Sequence, residues 1–343
     1  MTMLMKAAVL TEFGSSLQIL EMEVPSPGRG QVLVRVTASG VNPLDTKIRR
    51  GQAAHAQTAL PAVLGIDMAG VVEEVGDGVD EFRPGDEVFG MTGGVGGIQG
   101  TLAEFTAVDC RLIARKPGAL SMEEAAAIPL AFITAREALV SHAHIRGGER
   151  VLVHGGAGGV GHLAVQLARY RGAQVFATGG PASQDVITAA GAVAIDYTTT
   201  TVAEYVAKYS AGDGFDVVFD TVGGPTLDDS FAAVKRYTGH VVSALGWGTH
   251  SLAPLSFRAA TYSGVFTLLP LLTGQQRERY GHALQLAAKL ADAGQLAPLM
   301  DGRTYTFANL DEAYNSVENR TATGKVVVSV AASSGGTTRR KQS

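Results

Sequence analysis

At 343 residues the chain is longer than one ordinary hydrophobic core serves, and it suits two domains of roughly 100–200 residues each. Hydrophobic residues make up 46% against 17% charged, which excludes a disordered chain, and a formal net charge of -4 excludes the basic excess on which nucleic-acid binding draws. The single cysteine, Cys110, leaves no intrachain disulfide, and no apolar run approaches the roughly 20 residues of a membrane span, so a soluble cytoplasmic protein without nucleic-acid or membrane partners is expected.

The first part reads as short strands broken by turns. Residues 6–10, 17–24, 31–39, 69–75 and 102–108 are β-rich, punctuated by Pro-Ser-Pro-Gly at 25–28, Asp-Gly at 77–78 and Pro-Gly-Asp at 84–86. Strands this closely spaced suggest an antiparallel barrel. Ser121 and Glu124 then have the spacing of a capping box, opening an Ala-rich helical stretch over 125–142 with a bend at Pro129. Beyond it, buried strands at 151–154, 175–178, 193–195, 217–220 and 241–245 alternate with helices at 159–171, 183–190, 202–209 and 226–237. That alternation implies βαβ units in a doubly wound parallel sheet. A long helix over 275–293 follows, and the strand at 325–330 is expected to return to the N-terminal barrel. The domain reading is therefore 1–128, an inserted nucleotide domain over 129–270, a return over 271–332, and a disordered tail at 333–343.

The strand Arg150–His154 runs directly into Gly155–Gly156–Ala157–Gly158–Gly159–Val160–Gly161, and a helix follows at once. Gly156, Gly158 and Gly161 satisfy G-x-G-x-x-G, whose glycines give a tight turn, close backbone approach to a pyrophosphate, and close helix–strand packing. A second glycine cluster at 93–100 has no strand leading in and no helix following. It reads as a mobile loop that covers a substrate or merely connects. An NAD site usually closes its second strand with an acid. Here that strand ends Ala177–Thr178–Gly179–Gly180, which permits NADPH without demanding it, since a clear cation is also missing nearby.

These residues resemble the medium-chain dehydrogenase/reductase superfamily, in its zinc-free, quinone oxidoreductase-like branch. The resemblance runs to about Val330 and rests on five motifs besides the glycine turn: Gly40–Val41–Asn42–Pro43–Leu44–Asp45, Leu64–Gly65–Ile66–Asp67–Met68–Ala69–Gly70, Arg83–Pro84–Gly85–Asp86–Glu87–Val88, Phe219–Asp220–Thr221–Val222–Gly223–Gly224 and Gly324–Lys325–Val326–Val327. It implies an α/β plus β architecture, a GroES-like antiparallel barrel with an inserted Rossmann domain and a cleft for cofactor and substrate. Zinc-dependent relatives place Cys at Asn42 and His-Glu at Ile66–Asp67, so the resemblance implies that no metal is bound. His142 and His144 read as solvated residues at a helix end.

The resemblance further places Asn42 beside the nicotinamide, Thr134 near the carboxamide and Tyr197 near the adenosine phosphate. Gly158, Gly159 and Val160 line the pyrophosphate, and Val222 and Gly246 lie near the ribose-nicotinamide portion. The bland readings are a turn former for Asn42, a hydroxyl bonding its own helix for Thr134, and strand-edge packing for Tyr197. Thr178 and Ser183 join the cofactor set; Ser183 stands where NADPH relatives usually carry lysine, and Gly180 replaces their commoner serine. Arg320 or Lys325 could supply the missing cation. Lys47 stands where a tyrosine often follows Asn42, and either polarises a carbonyl or is simply solvated. Phe132, Trp247, Tyr262 and Phe266 shape an apolar pocket or pack in the core.

The implied reaction is hydride transfer from NADPH (or NADH) to a quinone or an α,β-unsaturated carbonyl, with positioning and a few donors supplied by the protein. The rivals are an alcohol dehydrogenase of the same superfamily and a non-catalytic nicotinamide-binding sensor or scaffold. A homodimer is expected from the resemblance, through edge pairing near residues 261–268.

Overall fold

The computed structural model describes residues 3–330, so the tail expected at 333–343 lies outside the described residues. The chain opens with strands β1 (Leu4–Leu10), β2 (Gln18–Glu23) and β3 (Gln31–Val41), helix α1 (Pro43–Arg49), and strands β4 (Ala62–Val63), β5 (Asp67–Val75), β6 (Glu87–Met91), β7 (Phe105–Asp109) and β8 (Ile113–Arg115). Helices α2 (Met122–Ala126) and α3 (Pro129–Arg136) lead to β9 (Arg150–His154), α4 (Gly161–Tyr170), β10 (Gln174–Gly179), α5 (Gln184–Ala189), β11 (Val193–Asp196) and α6 (Val202–Ser210). Then come β12 (Val217–Asp220), α7 (Pro225–Ala233), β13 (His240–Ser243), α8 (Ala253–Ser256), β14 (Thr261–Gly264), α9 (Leu269–Thr273) and α10 (Glu278–Asp292). The chain closes with β15 (Tyr305–Thr306), α11 (Leu310–Glu318) and β16 (Val326–Ser329).

Two compact units result. Among the described residues the first comprises 3–129, 271–281 and 300–330, the second Leu130–Pro270 and His282–Leu299. The sequence reading kept 271–332 together with the barrel. Two side chains of α4 explain the difference: Gln166 makes a pair of hydrogen bonds with the backbone of Ala297, and His162 accepts from the Leu299 N–H.

In the first unit β3 is the organising strand. It pairs antiparallel with β5, β7 and β16 and carries register shifts at Leu33/Val34 and Val36/Ala38 that bend the sheet. Its Val32, Val34 and Val36 pack on Met68, Val72, Phe82, Val88, Val108 and Ile113. The Pro-Gly-Asp turn forms because Asp86 accepts the Arg83 N–H at 2.8 Å and Gly85 takes φ +93°. Strands β6 and β8 are three to five residues long and acquire order only by pairing with each other and with β5. At the far end of the chain, Arg49 of α1 is seated on the ring of Tyr314 and paired with Asp311 and Glu318 of α11.

The glycine loop at 93–100, expected to be mobile, is tied to its neighbours by backbone hydrogen bonds and close packing. Gly94 donates to Ile98 and Gly96 to Ala56, and a methyl group at Gly93 or Gly100 would run into backbone carbonyls of Gln99 or Leu64. Its glycines serve close backbone packing within the first unit.

The second unit is a six-stranded, all-parallel sheet in the order β11-β10-β9-β12-β13-β14. Leu152, Phe176, Val218 and Val241 from its strands meet Phe215, Leu227 and Phe231 in a common core. The helical stretch after Ser121 breaks rather than bends. The capping box forms, α2 ends at Ala126, and α3 starts afresh on Pro129, which has no N–H to continue the ladder. It passes into a wider π-type turn at Glu137–His142. The helix expected to reach 237 stops at Ala233, where the chain turns out to exchange backbone hydrogen bonds with Phe215. Among the described residues no helix is long and apolar enough to cross a membrane.

Candidate functional site

The turn between β9 and α4 is held from both neighbouring strands. Thr178 of β10 accepts the Gly155 N–H on its hydroxyl at 3.3 Å and the Gly156 N–H on its carbonyl at 2.9 Å, while the Thr221 hydroxyl donates to the His154 carbonyl at 2.6 Å. Gly155 adopts φ +77°, and Gly158 N–H closes the turn on the Gly155 carbonyl at 2.9 Å. A side chain at Gly156 would collide with Ala177, and one at Gly161 with the Gly155 peptide, so strand and helix approach as closely as backbone allows. Helix α4 starts at Gly161 with Val160 as its N-cap and no capping side chain, whereas α2 and α6 are closed by Ser121 and Thr201. The His162 N–H bonds the Gly158 carbonyl at 3.1 Å, so no side chain occupies the start of the helix, where the dipole favours negative charge. These residues fit a dinucleotide pyrophosphate.

His162 was not singled out from sequence. Its Nε2 accepts the Leu299 N–H at 3.0 Å, so Nδ1 must carry the proton that bonds the Gly158 carbonyl at 2.8 Å. A neutral imidazole therefore ties the glycine turn to residues 297–299.

At the end of β10, Ser183 lies against Gly179, and the exposed Tyr197 places its hydroxyl beside Gly180. Gln184, also missed, donates to the Gly179 and Gly180 carbonyls at 3.0 and 3.1 Å and fixes the strand end. The strand end carries no acid, yet carboxylates stand close by: Asp185 in the first turn of α5, and Asp196, which pairs in register with Gly179 and takes two bonds from Thr198.

Asp220 organises the opposite side. Fully buried, it accepts from the N–H groups of Val222 and Gly223 at 3.0 and 2.9 Å and from the Ser243 hydroxyl at 2.7 Å. Val222 is half exposed next to Gly155, and Gly246 abuts the Tyr262 hydroxyl. His154, 3.2 Å from the Thr178 hydroxyl, has its pKa lowered to about 4 because burial disfavours the cation more than the nearby Asp220 favours it. Thr134 donates to the Leu130 carbonyl at 2.7 Å, the self-bonding arrangement weighed above. Phe132 is core, while Trp247 and Phe266 meet edge-to-face at 6.1 Å and remain partly exposed.

In the first unit a polar cluster is buried where three adjacent strands end. Asn42 follows β3; β16 pairs with β3 on one side so that Lys325 precedes the partner of Val41, and Asp67 of β5 faces Gly40 on the other. Lys325 Nζ donates to Asn42 Oδ1, Asn42 Nδ2 donates to Asp67 at 3.0 Å, and Asn42 N–H to Asp45 at 2.8 Å. All four residues are buried. Burial raises the Asp45 pKa to about 7, opposed by the hydrogen bond from the Asn42 N–H and by Lys325 and aided by the charge of Asp67, and burial also lowers that of Lys325. Lys325 is therefore no surface cation awaiting a phosphate. Lys47 and Arg320 are exposed, at the ends of α1 and α11, in this same unit.

This donor set does not fit zinc. Asn42 already faces an ammonium, Ile66 is apolar and fully buried, and among the described residues no group of three His, Cys, Asp or Glu is placed to hold a metal. His144 bonds the Val140 carbonyl at an exposed helix end.

Residues 28–118 match the model of the alcohol dehydrogenase GroES-like domain, and residues 190–328 that of a zinc-binding dehydrogenase. An NADPH-dependent alkenal/one oxidoreductase (chloroplastic) of Arabidopsis thaliana is 34% identical, covering 94% of this chain and 79% of its own. The quinone oxidoreductase of Pongo abelii is 31% identical, with 95% and 98% covered. A solved alcohol dehydrogenase superfamily protein from Novosphingobium aromaticivorans is 52% identical, with TM-score 0.94 over 95% of this chain and all of its own, 100%.

Proposed function

The chain belongs to the medium-chain dehydrogenase/reductase superfamily, and from that premise we propose that this oxidoreductase is a zinc-independent, NADPH-dependent reductase of quinones or α,β-unsaturated carbonyl compounds. The observation that carries the reading is the Lys325 ammonium seated on Asn42 Oδ1, at the position where zinc-dependent relatives carry a ligating cysteine. A divalent cation there would face a fixed positive charge and a donor oxygen already in use. Two relatives point the same way, one being an NADPH-dependent alkenal/one oxidoreductase and the other a quinone oxidoreductase.

When bound, NADPH supplies the hydride, which is the hard part of the chemistry. The chain binds and orients. Gly156, Gly158, Gly159, Val160 and Gly161 cradle the pyrophosphate; Thr178, Ser183 and Tyr197 take the adenosine end; Val222, Gly246 and Thr134 take the ribose-nicotinamide end. Ser183 offers the 2′-phosphate a hydroxyl without charge, and Arg320 is the exposed cation proposed to reach it. Asn42 is the donor beside the ring, and Lys47 the exposed cation that could meet a substrate carbonyl. Strand β14, which pairs only with β13 among the described residues, is the edge proposed to join two copies.

The purified protein is expected to oxidise NADPH in the presence of 1,4-benzoquinone, 9,10-phenanthrenequinone or a 2-alkenal, and to do so unchanged in EDTA. Oxidation of simple alcohols with NAD⁺ that depends on added zinc would overturn the proposal. Tight NADPH binding without turnover of any of these compounds would identify a sensor instead.

A further inference from the structure

The cluster around Asn42 decides more than the fit of a metal. An amide side chain placed between two neutral groups can face either way. Here one neighbour, the Lys325 ammonium, can only donate, and the other, the Asp67 carboxylate, accepts. Rotating the amide by half a turn would set donor against donor and acceptor against acceptor, with all three groups buried. The row is built by topology, since β16, β3 and β5 are neighbours in one sheet and deliver ammonium, amide and carboxylate side by side. The Asp45 carboxylate holds the backbone N–H of the same residue, so side chain and main chain are both anchored.

We propose that Lys325 is the positioning residue of the reducing site: together with Asp67 it locks the Asn42 carboxamide in one orientation, with one amide N–H committed to Asp67 and the second left to meet the bound ring or the oxygen being reduced. The ammonium also brings a positive charge into the buried cluster that holds the Asp67 and Asp45 carboxylates, so the amide does not donate beside buried carboxylates alone. Misorientation of a single donor is enough to slow a positioned reaction by orders of magnitude, because catalysis here depends on geometry rather than on a strong acid or base.

This inference rests on the reductase reading above, and the test separates the two. Lys325→Met is compared with the parent and with the charge-balanced pair Lys325→Met, Asp67→Asn, which removes the ammonium without stranding a carboxylate and so covers failure of the single variant to fold. In the folded variants kcat for quinone or enone reduction is expected to fall at least about tenfold, and the NADPH dissociation constant, set at the glycine turn, to stay within about twofold. The primary isotope effect with NADPH deuterated at C4 is expected to rise, because hydride transfer becomes the slow step; a purely structural role would leave it unchanged. Lys325→Arg, which keeps the donor, is expected to retain more activity than Lys325→Met. A charge-balanced variant with parental kcat and isotope effect overturns the inference while leaving the reductase reading intact. A parent protein that turns over none of the substrates removes that reading and this inference with it.

Discussion

Gly161→Ala puts the nucleotide turn to its most direct test. An added methyl would sit 2.8 Å from the carbonyl carbon of Gly155 and 3.1 Å from Cα of Gly156, and closer still to the Gly155 oxygen. Carbon pairs are comfortable at about 3.5–4.0 Å, so the turn must open by roughly 1 Å, and none of the obstructing atoms belongs to a side chain that could swing away. The Gly158 N–H to Gly155 carbonyl bond, now 2.9 Å, does not survive such a movement. Strain of this kind costs about 1–3 kcal/mol of stability. Displacing even one N–H from a phosphate oxygen costs a further ~1.5–3 kcal/mol of binding, or roughly a 10- to 150-fold weaker Kd. Calorimetric titration with NADPH, below the melting temperature of the variant, reads the second quantity, and a thermal melt reads the first. Gly302→Ala, where a methyl meets nothing within 4 Å, is the matched control. A folded Gly161→Ala protein that binds NADPH as tightly as the control would refute the assignment of the turn.

Two buried groups give opposing pH dependences. The Asp45 pKa is raised from 3.8 to about 7, so its contribution to stability is full below 3.8 and is lost as pH rises towards 7, by up to about 4 kcal/mol at ~1.36 kcal/mol per pKa unit. The His154 pKa is lowered from 6.5 to about 4, so its contribution is full above 6.5 and is lost as pH falls towards 4. Asp45→Asn, which keeps an acceptor for the Asn42 N–H, is expected to be more stable than the parent above neutral pH and to lose stability on acidification where the parent changes little; parallel melts from pH 4 to 8 check this, and identical profiles would exclude it. Asp220→Asn, which exchanges a charged acceptor of three hydrogen bonds for a neutral one, is expected to lower stability by about 1–3 kcal/mol in chemical denaturation. Ser183→Lys is expected to tighten NADPH about fivefold, equivalent to ~1 kcal/mol, while leaving NADH unchanged. Equal gains for both cofactors would move the 2′-phosphate elsewhere.

The features legible from sequence are those whose signal is local. The alternation of apolar strands with helices needs only a few residues to announce itself, and the strand–glycine–helix junction at 150–161 is contiguous, so the parallel sheet and its turn follow from pattern alone. The Ser121–Glu124 box is equally local and forms. Strands β6 and β8 carry too few residues for a period to show, and their pairing is decided by partners elsewhere in the chain. The glycines at 93–100 look like slack because density does not reveal that other backbone presses against them. Lys325 is the sharpest case. Its motif was visible, but Asn42 lies 283 residues earlier, and only the adjacency of β16 and β3 converts a spare cation into the partner of an amide. His162 and Gln184 were hidden for a simpler reason, since their partners are main-chain carbonyls and an N–H that leave no mark in the sequence.

The seam at which β16 pairs with β3 and Glu318 with Arg49 joins segments that are synthesised far apart in time. Strand β3 and Arg49 are translated early, whereas β16 and Glu318 come near the end of the described chain, 269 residues after Arg49 in the case of Glu318. At ~5–20 residues per second, synthesis leaves β3 with an unpaired edge for roughly 15–60 s, and the sheet of the second unit has all six of its strands before β16 exists. All six strands of the second unit are thus synthesised before the sheet around β3 has its last strand. A nascent chain that ends before residue 300 holds every strand of the parallel sheet but lacks β15 and β16, so the β3 edge that β16 covers is open to other partners until the last strands are made.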